Sequence, residues 1–153
     1  GRCRAYTSDA AQLAAMRLRA PKDVQDFVIL PERISKEPLS PVVWGGDPEW
    51  TTLVRWVLYA LILAEEYGIT RDNLDAVIAE NRNPLVRRAA KERDLLARSL
   101  GIPPDWGTRV LRAVGNYGEM YERNVGRDSP LKIERGLNRL WTQGGLLYAP
   151  PID

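Results

Sequence analysis

Proline and glycine constrain this sequence more than any other residue type. Eleven prolines and twelve glycines fall mostly at the edges of stretches with apolar periodicity, and so cut 153 residues into short elements. Proline fixes φ and lacks an N–H, which suits the first turn of a helix and ends one elsewhere. Asp47-Pro48, Asn83-Pro84, Pro103-Pro104-Asp105 and Ser129-Pro130 therefore read as helix starts, and Gly68, Gly101, Gly126 and Gly144 as the matching stops. Trp50, Leu53, Val54, Val57, Leu58, Leu61 and Ile62 follow the helical repeat, and Trp56, Tyr59 and Leu63 add apolar surface on the other side. The spacing predicts a helix buried on most of its circumference.

Thr70 is placed to cap a shorter helix running to about Ala79. A further helix is expected from Asn83 to Gly101. The next has Trp106, Val110, Val114, Tyr117 and Tyr121 along one face up to Gly126, and the last points Leu137, Leu140 and Trp141 inward. The apolar tail Leu146 to Pro151 is expected to dock on the body. At the amino end, Ser8-Asp9 precedes the good helix formers Ala10 to Leu18, closed by Pro21. Phe27-Val28-Ile29-Leu30 is a strand candidate. Ile34 to Val43, broken by Pro38 and Pro41, is confined to an edge strand or an extended crossover. The pattern reads as a mostly helical domain with two or three short strands near the start.

Composition excludes several functions. Hydrophobic residues make up 44% and charged residues 27%, an ordinary globular balance. Twenty-two basic residues against 20 acidic ones leave a net charge of +2, too little to point to nucleic acid. The densest run, Arg87 to Asp94, alternates in sign like a solvated helix face. There is no histidine, so the commonest general base and zinc ligand are missing. Cys3 is the single cysteine, which rules out an internal disulfide or a zinc knuckle. No metal and no cofactor are expected. The longest apolar run, Leu53 to Ala64, carries Arg55 and falls short of the ~18 residues a bilayer crossing needs. The chain begins Gly-Arg-Cys, without initiator methionine or signal peptide, and reads as a soluble piece of something longer.

No catalytic constellation emerges. Glu65-Glu66 and Asp72 to Asp75 are expected in structural or solvated roles, because acid–base pairs need a cleft and shifted pKa values. Trp50, Trp56, Trp106 and Trp141 sit at core spacing rather than as a stacking platform. Gly115-Asn116-Tyr117-Gly118 lies inside a helical pattern and lacks a phosphate-loop lysine. An enzyme is not expected.

Several ordered words carry a resemblance. Gly1-Arg2-Cys3-Arg4-Ala5-Tyr6-Thr7-Ser8-Asp9-Ala10 is similar to the second-lobe signature of polar amino-acid-binding proteins, in which a G-R-x-D-A strand leads to an aspartate that meets the ligand's α-ammonium. Ile29-Leu30-Pro31-Glu32, Ile34-Ser35-Lys36-Glu37-Pro38-Leu39 and Trp56-Val57-Leu58-Tyr59-Ala60-Leu61 resemble the general L-amino-acid-binding subfamily. So do Ala113 to Glu119, Glu122-Arg123-Asn124-Val125-Gly126, and Leu140 to Pro151. The resemblance covers nearly the whole chain. One departure is Arg4, where the family usually has aspartate.

The resemblance implies a helix-rich α/β fold, the C-terminal part of a two-lobed, type II periplasmic-binding-protein fold. Residues 1–24 would be the end of lobe two, residues 25–46 the crossover or hinge strands, and residues 47–153 the returning lobe-one helices with a helical C-terminal extension. It implies a periplasmic amino-acid-binding component of an ABC importer, made with a signal peptide in its parent. The L-amino acid and the membrane permease subunits would be its partners. The family's carboxylate clamp and the usual partner of Cys3 would lie upstream. Asp9 would take the ammonium, helped by Ser8 and Thr7. From the residues alone, Ser8 or Asp9 reads first as a helix cap, and the two roles are compatible. The alternative is a helical interaction or assembly domain without a small-molecule ligand, for which a homo-oligomer or a domain swap is expected.

Overall fold

Helix ends in this protein are set by short-range hydrogen bonds that the local sequence supplies. The computed structural model describes residues 3–21, 27–80 and 95–150. Its helices are α1 (Ala10–Arg19), α2 (Pro48–Glu66), α3 (Leu74–Glu80), α4 (Trp106–Val114) and α5 (Tyr117–Asn124). Residues 95–100 are also helical, and two 3-10 turns follow at Gly136–Asn138 and Trp141–Gln143. The expected helix start at Asn83-Pro84 and the charge run Arg87 to Asp94 lie outside the described residues.

Asp47 opens α2 as expected. Its Oδ1 accepts the Trp50 N–H at 2.8 Å, and Pro48 occupies the first helical position, where no N–H is needed. Gly68 closes it. The Ile69 N–H reaches the Ala64 carbonyl at 2.7 Å and the Gly68 N–H reaches Glu65 at 3.0 Å, a Schellman pair that needs the left-handed backbone Gly68 adopts (φ +65). The same two bonds, from Ile102 to Ala97 and from Gly101 to Arg98, end the helical residues 95–100. Ahead of α3, Thr70 and Asn73 cap reciprocally: each backbone N–H donates to the other's side-chain oxygen, at 2.8 and 3.2 Å.

Two expected helices are corrected. The stretch from Pro104 to Gly126 is not continuous but divides into α4 and α5. Asn116 Oδ1 accepts the Glu119 N–H at 2.9 Å while Glu119 Oε2 accepts the Asn116 N–H at 2.8 Å, a capping box that starts a new helix. The segment from Ser129 to Gly144 forms only the two 3-10 turns, because extended backbone at Leu140 (φ −58, ψ 149) interrupts any helical repeat. Here Gly145 passes so close to Arg139 that a Cβ would lie 1.9 Å from its carbonyl oxygen. The strand expected at 27–30 is not paired, and of the two forms open to 34–43 the edge strand is not formed: among the described residues the only bridge pairs Leu140 with Leu147. With prolines at 31, 38 and 41 removing donors, this stretch is extended, exposed chain.

The chain divides into two compact units, one from residues 1–40 and 122–134, the other from 41–121 and 135–153. In the second unit, consecutive residues of α2 serve two apolar clusters. Leu61 and Ala64 join Ile69, Leu74 and Leu111. Ile62 and Leu63 join Leu140 and Ala149, so the tail docks as expected. Each fully buried Leu or Ile contributes about 1.5–3 kcal/mol. Beside them, Arg135 makes a two-pronged ion pair with Glu65, Nη2 to Oε2 at 3.1 Å. Both side chains are only 12% exposed. The guanidinium lies 5.7 Å from the Tyr117 ring centroid and 5.5 Å from that of Tyr121, and its Nη2 donates to the Asn138 carbonyl at 2.8 Å. Gly118 lets α5 approach: a Cβ there would sit 2.9 Å from the Glu65 carboxyl.

The tryptophans differ from expectation. Trp106 is buried, but Trp50 and Trp141 are 51% and 60% exposed, and Leu137 points outward with them. Helical spacing placed Leu137 and Trp141 inside; without the helix only Leu140 turns in. In the first unit α1 buries none of its residues.

Candidate functional site

The sequence-predicted residues Thr7, Ser8 and Asp9 run as one extended segment into α1, within the first unit. Asp9 holds the N-cap position with extended backbone (φ −54, ψ 142), and its carbonyl accepts the Leu13 N–H at 2.9 Å, the first bond of the helix. Its carboxylate makes no bond to the helix's free N–H groups. The side-chain capping role is therefore not the one this residue performs. Ser8, half-buried like Asp9, donates its hydroxyl to Gln12 Oε1. Thr7 is exposed.

What the Asp9 carboxylate meets instead is Glu37. The two side chains hydrogen-bond, and the Glu37 carboxyl is pushed above its ordinary range by that bond and by the negative charge of Asp9. An ammonium placed between the two carboxyls would offset their like-charge contact. Sequence reasoning did not single out Glu37. The available signal was Pro38, which holds the preceding residue extended and so fixes the backbone that carries the Glu37 side chain.

Glu65, Asp75 and Asp105 have structural partners. Glu65 pairs with Arg135. Asp75 pairs with Arg112 at 2.6 Å, joining α3 to α4. Asp105 is held below the usual carboxylate range by its hydrogen bond from Arg109. Asn116, in the Gly-Asn-Tyr-Gly stretch, donates from Nδ2 to the Ile69 carbonyl at 2.8 Å and is buried. Cys3 is exposed. Among the described residues no three acidic or cysteine side chains gather as a metal site.

Comparison with known proteins gives this site its context. No protein-family model matches the chain. It is 50% identical over 152 residues to the glutamate/glutamine/aspartate/asparagine-binding protein BztA of Rhodobacter capsulatus, covering 99% of this chain and 45% of that protein. It is 49% identical over 154 residues to the general L-amino acid-binding periplasmic protein AapJ of Rhizobium johnstonii, with the same coverage. A solved ABC transporter periplasmic binding protein from Brucella ovis, with glutathione bound, superposes with a TM-score of 0.86 at 43% identity, covering 99% of this chain and 47% of that one.

The chain is thus homologous over almost all its length to periplasmic amino-acid-binding proteins of ABC transporters, and its fold is part of theirs. It spans about half the length of the curated relatives it matches. Those relatives are solute-binding proteins rather than enzymes.

Proposed function

We propose that this chain is the C-terminal portion of an extracytoplasmic receptor that binds L-amino acids in the periplasm and hands them to the permease of an ABC importer. In this reading, residues 1–24 close the second lobe, residues 25–46 are the crossover, and residues 47–153 return to the first lobe and extend it. Half-length identity near 50% to two amino-acid-binding proteins carries the reading. A non-catalytic role fits it.

The chemistry of the ligand supports Asp9 as its ammonium contact. A zwitterion held in a dry cleft must have both charges paired, because an unpaired buried charge costs several kcal/mol. Asp9 offers a half-buried carboxylate that no helix N–H has claimed, with the Ser8 and Thr7 hydroxyls beside it in sequence. Glu37, already bonded to it, adds a second acceptor. The ligand's carboxylate would be held by the part of the receptor that this chain does not cover. Closing two lobes about a crossover buries the ligand and creates the shape the permease meets.

Calorimetric titration of the full receptor with a panel of L-amino acids tests the function. Saturable binding of one or more is expected, and silence across the panel would contradict it. A second reading, self-association of the chain alone, draws on the apolar side chains exposed in the first unit, Phe27, Val28, Leu30, Ile34 and Leu39 among them. Size-exclusion chromatography with light scattering distinguishes an oligomer or a domain swap from a monomer.

A further inference from the structure

An open cavity of about 430 Å³ lies on the second unit, lined by Leu63, Glu66, Tyr67, Trp141, Tyr148 and Ala149. Trp141 and Tyr148 leave 60% and 65% of their surface in water, although apolar clusters that would shelter them are adjacent. The two neighbouring acids of α2 have opposite fates. Glu65 is neutralised by Arg135. Glu66 takes only the Ala149 N–H, at 3.3 Å, and among the described residues no cation is paired with it. Burial, and after it the Glu66 charge, pushes the Tyr67 hydroxyl above its ordinary range.

Three aromatic side chains and one carboxylate around an apolar space define a ligand class. Aromatic faces attract cations through their quadrupoles, most effectively with tryptophan present. A primary ammonium brings three donors that need acceptors, and in this lining only Glu66, Tyr67 and Tyr148 carry side-chain acceptors. A quaternary ammonium needs none. We propose that this cavity binds a small quaternary ammonium compound, seated among Trp141, Tyr67 and Tyr148 with Glu66 as its counter-charge.

Choline is the probe, and its neutral tert-butyl analogue, of the same shape, is the control. The readout is the indole N–H resonance of Trp141, identified by its loss in Trp141→Phe. Choline is expected to move that resonance saturably, with the neutral analogue at least about threefold weaker. Glu66→Gln should weaken choline about three- to fivefold and leave the analogue unchanged. Tyr148→Leu, at an exposed position, should weaken choline in a chain whose fold is intact. Equal binding of the two probes, unchanged choline affinity in Glu66→Gln, or no saturable shift would overturn the site.

Discussion

The two units of this chain are built by opposite means. Every buried apolar residue among those described, from Leu61 through Ala149, belongs to residues 41–121 and 135–153. The first unit contributes α1 with no buried residue, and a run from Phe27 to Leu39 whose apolar side chains stand in water. Its ordered features are polar and local. Ser129 Oγ donates to the Gly126 carbonyl at 2.9 Å, and the Arg127 N–H reaches Glu122 at 2.9 Å. The second unit has its own core, while the first presents an apolar and acidic surface, with the proposed ligand contact on it.

The sharpest way to break this contrast is to remove one partner of the buried pair. Arg135→Ala leaves the Glu65 carboxylate 12% exposed and uncompensated, and should cost about 3–5 kcal/mol in denaturant unfolding. Leu111→Ala, in the same unit, should cost about 2–5 kcal/mol. Ile34→Ser, at a position 84% exposed in the first unit, should change stability by no more than about 0.5 kcal/mol. A cost for Ile34 comparable to that for Leu111 would erase the distinction.

The two helix-start aspartates refine it. Asp47 caps α2 through its side chain, so Asp47→Ala should cost about 1 kcal/mol. Asp9 holds the same position in α1 without that bond, and Asp9→Ala should cost less than Asp47→Ala in the same unfolding assay.

The smallest effect expected is one of pH. The folded pKa of Glu37 lies above its unfolded value, so the folded state binds this proton more tightly. The contact with Asp9 is therefore favoured below the ordinary carboxylate pKa. It weakens as pH rises through the window up to the raised value. Side-chain NMR titration should place the Glu37 midpoint above that of an isolated glutamate, and Asp9→Asn should bring it down.

Much of the second unit was legible in the sequence because its determinants are local. Asp47-Pro48, Gly68 and the Thr70 cap each act within a few residues, and the spacing of Leu61 and Ile62 follows the helix that holds them. Where a local signal competed with periodicity, periodicity misled. Asn116 and Glu119 start a new helix inside an apolar pattern, and extended backbone at Leu140 turns Leu137 and Trp141 outward. The pairing of Glu65 with Arg135, 70 residues apart, and the meeting of Glu37 with Asp9 depend on tertiary arrangement, which single-sequence spacing does not encode. Asp9 itself came from resemblance and from the chemistry of a zwitterion. The strand expected at 27–30 is unpaired, because an extended segment becomes a strand only with a partner.

The most direct test of the central claim is the affinity of the full receptor for its best amino acid before and after Asp9→Ala. Truncating one side of a buried, hydrogen-bonded charge pair should cost about 2–5 kcal/mol, roughly 30- to several-thousandfold in Kd, with the thermal midpoint of the unliganded receptor nearly unchanged. An undiminished affinity would mean that this carboxylate is not where the ammonium goes.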